Sequence, residues 1–414
     1  MLKLLIYSLV ITVPWYAISV NCGVFDIKLS EIILLLILFL SLFSIKIVKN
    51  SYITLVVGLL FLLIIIIFLQ GLWLNRFFES LKFAVVHFII LLMFIIIVAN
   101  KRNINSIMQY TKISYYVMLV VGLFSYFLYK FWEINFNIHV YIANEIRTVS
   151  LMTDPNRFAN FVVAFWPFIF FGTHQNHLFK LNLRQTLILA VSFFIIISTG
   201  SRGALLAFIF QSALLSLVSQ KNKIYGVFVF TISLLILGCL FYYFVILHPL
   251  IRNNLSEIDL IRGNLRFQYW YDGFLQFTKH PFWGIGFGDI ISVTDLFFPS
   301  YELHNTFLTV LFQGGLFYTI IFILLIAAVI KLNMVCYEDN SNIIKLFIIS
   351  YFGIFIHSFF INIHIERYIW LVFALNFAYV LQTCNNVHCT MRSSKSLTSK
   401  YGSKYEFKNA PLQT

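Results

Sequence analysis

The chain has 414 residues, of which 60% are hydrophobic and only 11% are charged, and its formal net charge is +13. A soluble domain carries roughly 25% charged residues, so the composition excludes a soluble protein. The basic charge has a simple source, because cytoplasmic loops of membrane proteins collect Lys and Arg. We therefore expect no nucleic-acid partner.

Long apolar runs predict about twelve membrane-spanning helices, since a helix needs roughly 20 apolar residues to cross a bilayer. The runs lie at 4–21, 29–47, 51–69, 83–99, 113–131, 157–173, 185–199, 203–218, 224–247, 305–330, 343–362 and 368–384. The expected fold class is all-α, a polytopic membrane protein with its transmembrane domain at 1–384 and one larger outer loop at about 248–303. Residues 385–414 are polar, which is typical of a disordered cytoplasmic tail.

The basic residues of the short loops indicate the orientation, because such loops stay in the cytoplasm. Lys46, Lys101 and Lys180 fall on the side of the N-terminus, and an even number of spans places both termini there. The first run lacks a small-residue cleavage site, so we expect a retained helix. The five cysteines are scattered and indicate neither a disulfide framework nor a metal site.

Arg202 lies on the predicted outer side, wedged between two spans in FIIISTGSRGALLAFIF. Long outer loops are exempt from the positive-inside tendency, but that exemption does not cover this short connection. An arginine at such depth is expensive unless it faces a polar cavity or a partner. Ser201 and the small residues beside it open the next span, and a helix N-terminus flanked by arginine binds phosphate readily. Ser201 and Arg202 are therefore candidate anion-binding residues.

A second polar segment, residues 145–160, leads from an outer loop into the sixth predicted span. Asp154 followed by Pro155 is typical of a helix that starts with an aspartate cap, and a role in the site is the alternative for this carboxylate. Arg147 and Arg157 in the same segment offer further donors for an anion.

The stretch from Arg262 to Leu316 runs from the longest polar gap of the chain into an apolar run. Within it, Arg266 and Trp270 are four residues apart and share one face if their segment is helical. The three alternating glycines of HPFWGIGFG indicate a turn that approaches another part of the protein closely.

His304 begins the tenth predicted span and is flanked by Glu302 and Asn305. Near neutral pH a histidine in this position can act as a base or hold an acceptor hydroxyl, and a purely structural histidine is the alternative. Arg367 borders the last outer turn and is a further candidate for the same pocket.

No D-x-D motif occurs in the sequence. Many nucleotide-sugar transferases hold a metal on such carboxylates to neutralise a diphosphate. In this chain, arginines on the outer face would have to do that work. We therefore expect no metal and no cofactor, and a diphosphate donor that is available outside the cell.

The segments DPNRFANF, STGSRGALLAF, GNLRFQYWYDGFLQFTKHPFWGIGFG and ELHNTFLTVLFQGGLFY, in this order, resemble the O-antigen polymerase and O-antigen ligase superfamily. The resemblance covers roughly residues 147–371, whereas the first five spans match only in being apolar helices. It implies a glycosyltransferase of the bacterial inner membrane with a periplasmic active site, which moves a glycan from undecaprenyl diphosphate to an acceptor without a metal.

The resemblance also implies roles for individual residues. Arg202 and Arg266 would bind the donor diphosphate, with Ser201 beside them, and His304 would activate or orient the acceptor hydroxyl. The auxiliary candidates are Arg147, Arg157, Glu302, Asn305 and Arg367.

The acceptor decides the branch of the superfamily. A polymerase transfers the glycan to another lipid-linked repeat unit, whereas a ligase transfers it to lipid A-core. DPNRFANF favours the polymerase. Besides these substrates and membrane lipids, a chain-length regulator and a flippase are expected partners. A lipid-linked oligosaccharide flippase is a more distant alternative because few polar groups line the spans, and a non-catalytic scaffold would tolerate loss of His304.

Overall fold

The computed structural model describes residues 2–21, 26–41, 50–133, 139–142, 145–172, 183–219, 268–288, 290–291, 300–337 and 342–383. The predicted ninth span at 224–247, Arg266 and the polar tail at 385–414 lie outside these residues.

Helices dominate the described part and are numbered here in chain order. They are α1 (Leu2–Thr12), α2 (Leu29–Ser41), α3 (Ser51–Trp73), α4 (Phe77–Ala99), α5 (Ile104–Trp132), α6 (Pro155–Phe165), α7 (Leu183–Ser198), α8 (Arg202–Ser219), α9 (268–277), α10 (Thr306–Tyr337), α11 (Asn342–His357) and α12 (367–383). Short 3₁₀ helices precede α5 (Lys101–Asn103) and follow α6 (Trp166–Phe170).

Three short antiparallel strand pairs add to the predicted all-α fold. They are β1 (Ser19–Asn21) with β2 (Asp26–Lys28), β3 (His139–Ile142) with β4 (Glu145–Thr148), and β5 (Ile290–Ile291) with β6 (Ser300–Tyr301). All three lie in connections between helices. The β3–β4 hairpin matters most for the site because it positions Arg147, which pairs with Val140.

Several of the described helices can span a membrane. Four helices of the described residues are long and apolar enough to cross a bilayer: Ser51–Trp73, Phe77–Ala99, Lys101–Trp132 and Thr306–Met334. Five shorter apolar helices accompany them in the described part. The protein is thus a predominantly helical, multi-pass membrane protein.

Prolines shorten two of the predicted spans. The first was expected at 4–21, but α1 ends at Thr12, two residues before Pro14. The sixth was expected at 157–173, but α6 ends at Phe165 and continues as the 3₁₀ helix that contains Pro167. Proline lacks a backbone donor and its ring clashes with the carbonyl group four residues earlier, so both runs change conformation there.

A single buried amide joins three helices of the core. Gln211 on α8 is fully buried, and its Nε2 donates to Val163 O on α6 over 3.0 Å and to Ile349 O on α11 over 2.9 Å. Its Oε1 accepts from the Trp166 indole over 2.7 Å. Because a buried amide without partners is costly, these contacts fix the relative position of the helices that carry the site.

Helix α10 is broken at Gly315, whose φ of 73° and ψ of −179° are not helical. The turn formed by residues 281–286 replaces the missing helical hydrogen bonds. Its N–H groups at Ile285 and Gly286 donate to the carbonyls of Phe312 and Gln313 over 2.9 and 3.1 Å. In return, the N–H groups of residues 316 and 317 donate to carbonyls of residues 281 and 282. The glycine-rich turn therefore lies close to another part of the protein, as predicted, and that part is the break in α10.

The helix break is also tied to the α3–α4 connection. Gln70 Nε2 on α3 donates to Gln313 O over 2.6 Å and to Trp283 O. Arg76 lies before α4, and its guanidinium donates to Ile285 O over 3.4 Å. The turn is thus held between α3 and α10.

Candidate functional site

Segments far apart in the sequence meet at residues 357–360, where α11 ends. We call residues 357–360 the α11 terminus. From the α7–α8 turn, Ser201 Oγ lies 3.2 Å from His357 Nε2. From the start of α10, two residues after His304, the Thr306 N–H donates to Ser358 O over 2.8 Å. The SRG and HNT motifs therefore occupy the same end of the bundle.

A buried polar chain links Ser201 to α6, α11 and α12. The Tyr368 hydroxyl donates to Asn160 Oδ1 over 3.1 Å, and Asn160 Nδ2 donates to His357 Nδ1 over 2.7 Å. A neutral imidazole that accepts at Nδ1 carries its proton on Nε2, so His357 donates to Ser201 Oγ. The constellation looks like a Ser–His–Asn triad, but this direction leaves the serine hydroxyl proton free for an external acceptor.

His357 is expected to act as a positioning residue for Ser201. His357→Ala should lower activity by roughly tenfold, because a lost buried hydrogen bond is worth about 1–3 kcal/mol. His357→Gln, whose amide can still donate, should restore much of it. The measurement is the activity per amount of folded protein.

Ser350→Ala is the matched control, since it removes a buried hydrogen bond from the same helix, Ser350 to Ala164 O, away from Ser201. Equal activity of the His357→Ala and Ser350→Ala proteins would contradict the positioning role.

The first turn of α8 lacks a side-chain cap from Ser201, unlike the starts of α3, α6 and α10. At α6, Asp154 Oδ1 accepts from Arg157 N over 2.8 Å, so the predicted cap is confirmed. At α10, Asn305 Oδ1 accepts from Leu308 N over 3.1 Å. Ser201 Oγ instead contacts His357. The N–H groups that open α8 therefore remain available to an anion.

Arg147 lies directly over this turn. A Cβ at Gly200 would approach Arg147 Nε to 3.0 Å and Cζ to 3.2 Å, and Gly200 has a φ of 66°. Glycine is thus required both by the backbone and by the guanidinium above it. Arg147 Nε is buried without a hydrogen-bond partner. Arg202 is exposed, and neither arginine has a carboxylate partner among the described residues.

Two other candidate arginines are neutralised by carboxylates. Arg157 Nε lies 3.1 Å from Glu366 Oε1, and the Arg367 guanidinium pairs with Glu31 on α2. Arg367 also lies over the Tyr16 ring, with 5.4 Å from its Cζ to the ring centroid. These contacts lie where α1, α2, α6 and α12 meet. Both arginines therefore connect helices at the end of the bundle that carries the SRG and HNT motifs.

His304 has a backbone conformation that is uncommon for a non-glycine residue, with a φ of 48°. The Trp270 indole donates to Leu303 O over 2.9 Å, so α9 holds the chain immediately before His304. Glu302 is exposed and interacts electrostatically with Arg157. Strained backbone of this kind clusters at functional sites.

His364 belongs to a second buried cluster in the α11–α12 connection. Burial, and then the neighbouring His87, lower the pKa of His364 to about 3. His87 Nε2 lies 2.8 Å from the Tyr318 hydroxyl, and the His364 ring lies 5.6 Å from that of Phe287. The ring of His364 is therefore neutral at neutral pH and packs as part of the core.

Sequence reasoning missed the partners of Ser201. His357 is not among the predicted site residues, and Asn160 appears only as the last residue of the polar segment 145–160. Both contacts span more than 150 positions, and no local spacing signals them. Among the residues that the structure describes, no three His, Cys, Asp or Glu side chains converge as a metal site requires.

The fold and the site together define a multi-pass membrane protein with a cationic cluster at one end of its helices. The sequence model of the O-antigen ligase family matches residues 187–323. This match confirms the predicted resemblance to the O-antigen polymerase and ligase superfamily, and it includes Arg202 and His304. A comparison with curated proteins finds no match.

At the level of the family, the match supports a membrane glycosyltransferase of the O-antigen ligase or polymerase type. Arg147, Asn160 and His357 lie outside the matched residues, and they reach the matched segment through the contacts described above.

Proposed function

We propose that the protein transfers a glycan from undecaprenyl diphosphate to a hydroxyl of a lipid-linked acceptor at the periplasmic face of the inner membrane, as an O-antigen polymerase. The observation that carries the proposal is the meeting of the SRG and HNT motifs at the α11 terminus. The SRG motif brings Arg202, which has no carboxylate partner among the described residues, and the HNT motif brings His304. Transfer of a sugar from a diphosphate needs both kinds of group.

The donor diphosphate would bind at the α7–α8 turn. Arg147 and Arg202 supply guanidinium groups without a described carboxylate partner, and a guanidinium fork matches phosphate oxygens. The first turn of α8 supplies free N–H groups, and Ser201 supplies a hydroxyl whose proton is directed away from His357. Arg266, which lies outside the described residues, is the further donor ligand that the family resemblance implies.

His304 would accept the proton of the acceptor hydroxyl as that oxygen bonds to the anomeric carbon of the donor sugar. The bond between the sugar and the diphosphate breaks in the same reaction, and undecaprenyl diphosphate leaves with the negative charge. The cations at the α7–α8 turn stabilise the negative charge of this leaving group. Such electrostatic stabilisation is usually the largest single contribution to catalysis. Arg157, Arg367, Glu302 and Asn305 would position the helix ends around it.

Ligase activity is the second candidate because the matched family is described as O-antigen ligase. The two candidates differ in the lipopolysaccharide of cells that lack the protein. Core with a single repeat unit is expected for a polymerase, since ligation survives. Core alone, with long glycan on the lipid carrier, would identify a ligase, and an unchanged ladder would contradict both.

A further inference from the structure

A polar pocket lies at the opposite end of α7 from the candidate site. Helix α7 has 16 residues, which corresponds to roughly 24 Å at 1.5 Å per residue. The pocket has a volume of about 180 Å³. Its walls come from α5, from the Trp166–Phe170 helix and the two residues that follow it, and from the first two turns of α7.

Two cations face this pocket. Lys112 on α5 is held by a 3.1 Å hydrogen bond from its Nζ to Phe171 O. Arg184 on α7 lies over the ring of Tyr116, with 5.6 Å from its Cζ to the ring centroid. The two positive charges repel each other, and no carboxylate is among the described lining residues. An anion between them would remove this repulsion.

Neutral donors surround the same space. The Nε2 group of Gln109 lies 2.9 Å from the Cβ position of Gly172, which has a φ of 84°, so a side chain at position 172 would displace that amide. The start of α7 carries the positive end of the helix dipole. Two cations, an amide and a helix start together match the oxygens of a phosphate group.

We propose that this pocket binds a phosphate group. The pocket lies near the end of α5 that follows Lys101 and Arg102, the side predicted to face the cytoplasm. Basic pockets between membrane helices on that side bind anionic headgroups. The phosphate therefore comes either from a phospholipid of the inner leaflet or from solution, and both sources present the same oxygens to Lys112 and Arg184.

The test uses the purified full chain and follows thermal unfolding in three conditions: vesicles of phosphatidylcholine alone, vesicles of phosphatidylcholine with phosphatidylglycerol, and phosphatidylcholine vesicles with inorganic phosphate. Phosphatidylglycerol or phosphate should raise Tm. Arg184→Gln should weaken binding roughly fivefold, since one cation near an anionic surface is worth about 1 kcal/mol. Stabilisation by phosphatidylglycerol alone assigns a lipid, and equal stabilisation by inorganic phosphate assigns a soluble ligand.

Arg102→Gln is the matched control, because Arg102 is exposed near the same end of α5 but does not line the pocket. It should bind like the unmodified protein. Lys112→Gln provides a second variant in which the other cation is removed. The proposal is overturned if neither phosphatidylglycerol nor phosphate raises Tm, or if Arg184→Gln and Lys112→Gln bind as tightly as Arg102→Gln.

Discussion

Replacing Arg202 with alanine is expected to abolish glycan transfer while the protein remains folded and inserted. The side chain is exposed and forms no described ion pair, so its removal leaves no buried group without a partner. The loss of one preorganised donor to a developing negative charge lowers a rate roughly 10²–10³-fold. Arg202→Lys should also be strongly impaired, because an ammonium cannot form the forked contact. The measurement is transfer from a lipid-linked donor, normalised to the amount of membrane-inserted protein.

Arg102→Ala is the control for this experiment, since it removes an exposed arginine from the opposite end of the helices and should retain full activity. The His304→Ala variant distinguishes a transferase from a scaffold or a flippase. A scaffold or a flippase would keep surface glycan synthesis without this histidine, whereas a transferase would lose it. A normal glycan ladder from both the Arg202→Ala and His304→Ala proteins would show that the proposed mechanism is wrong.

Gly315→Ala should destabilise the protein by about 2–6 kcal/mol. One part is backbone strain, because a φ of 73° with a ψ of −179° is a region that only glycine occupies readily and costs about 1–3 kcal/mol for other residues. The other part is overlap, because a Cβ at this position would meet the backbone of Trp283 and Gly284, and overpacking costs a further 1–3 kcal/mol or so. Thermal unfolding in detergent measures the effect.

Gly58→Ala provides the matched control for that experiment. Gly58 lies within α3, and nothing approaches its Cβ position within 4 Å. Alanine is better than glycine in a helix by up to about 1 kcal/mol, so this variant should be neutral or slightly stabilised. If Gly315→Ala unfolded at the same temperature as Gly58→Ala, the backbone exchange between α10 and residues 281–286 would not contribute to stability.

The sequence predicts those parts of the structure that depend on local rules. Asp154 before Pro155 specifies a helix start, and the structure has the expected cap. Alternating glycines specify a close approach, and the turn at 281–286 lies against α10. Arg202 was singled out because arginine is costly between two apolar runs, and the family match includes it.

Features that depend on tertiary contacts could not be predicted in the same way. The apolar run at 305–330 predicts one continuous helix, although Gly314 and Gly315 are a signal for the break in α10. For His357, no signal exists, because its contacts with Asn160 and Ser201 form only when α6, α8 and α11 pack. Equally, sequence alone does not separate Arg147, whose Nε has no hydrogen-bond partner among the described residues, from Arg157, which is held by Glu366.

The broken helix α10 has a consequence for the way the protein is made. A helix entering lipid must satisfy its backbone groups within itself or with nearby protein, and the groups on both sides of Gly315 are satisfied by residues 281–286. Those residues precede α10 in the chain, so the ribosome has already released them when the helix emerges. The order of synthesis therefore supplies the partner before it is needed, and reversing the two segments in a permuted chain would expose the break to the bilayer.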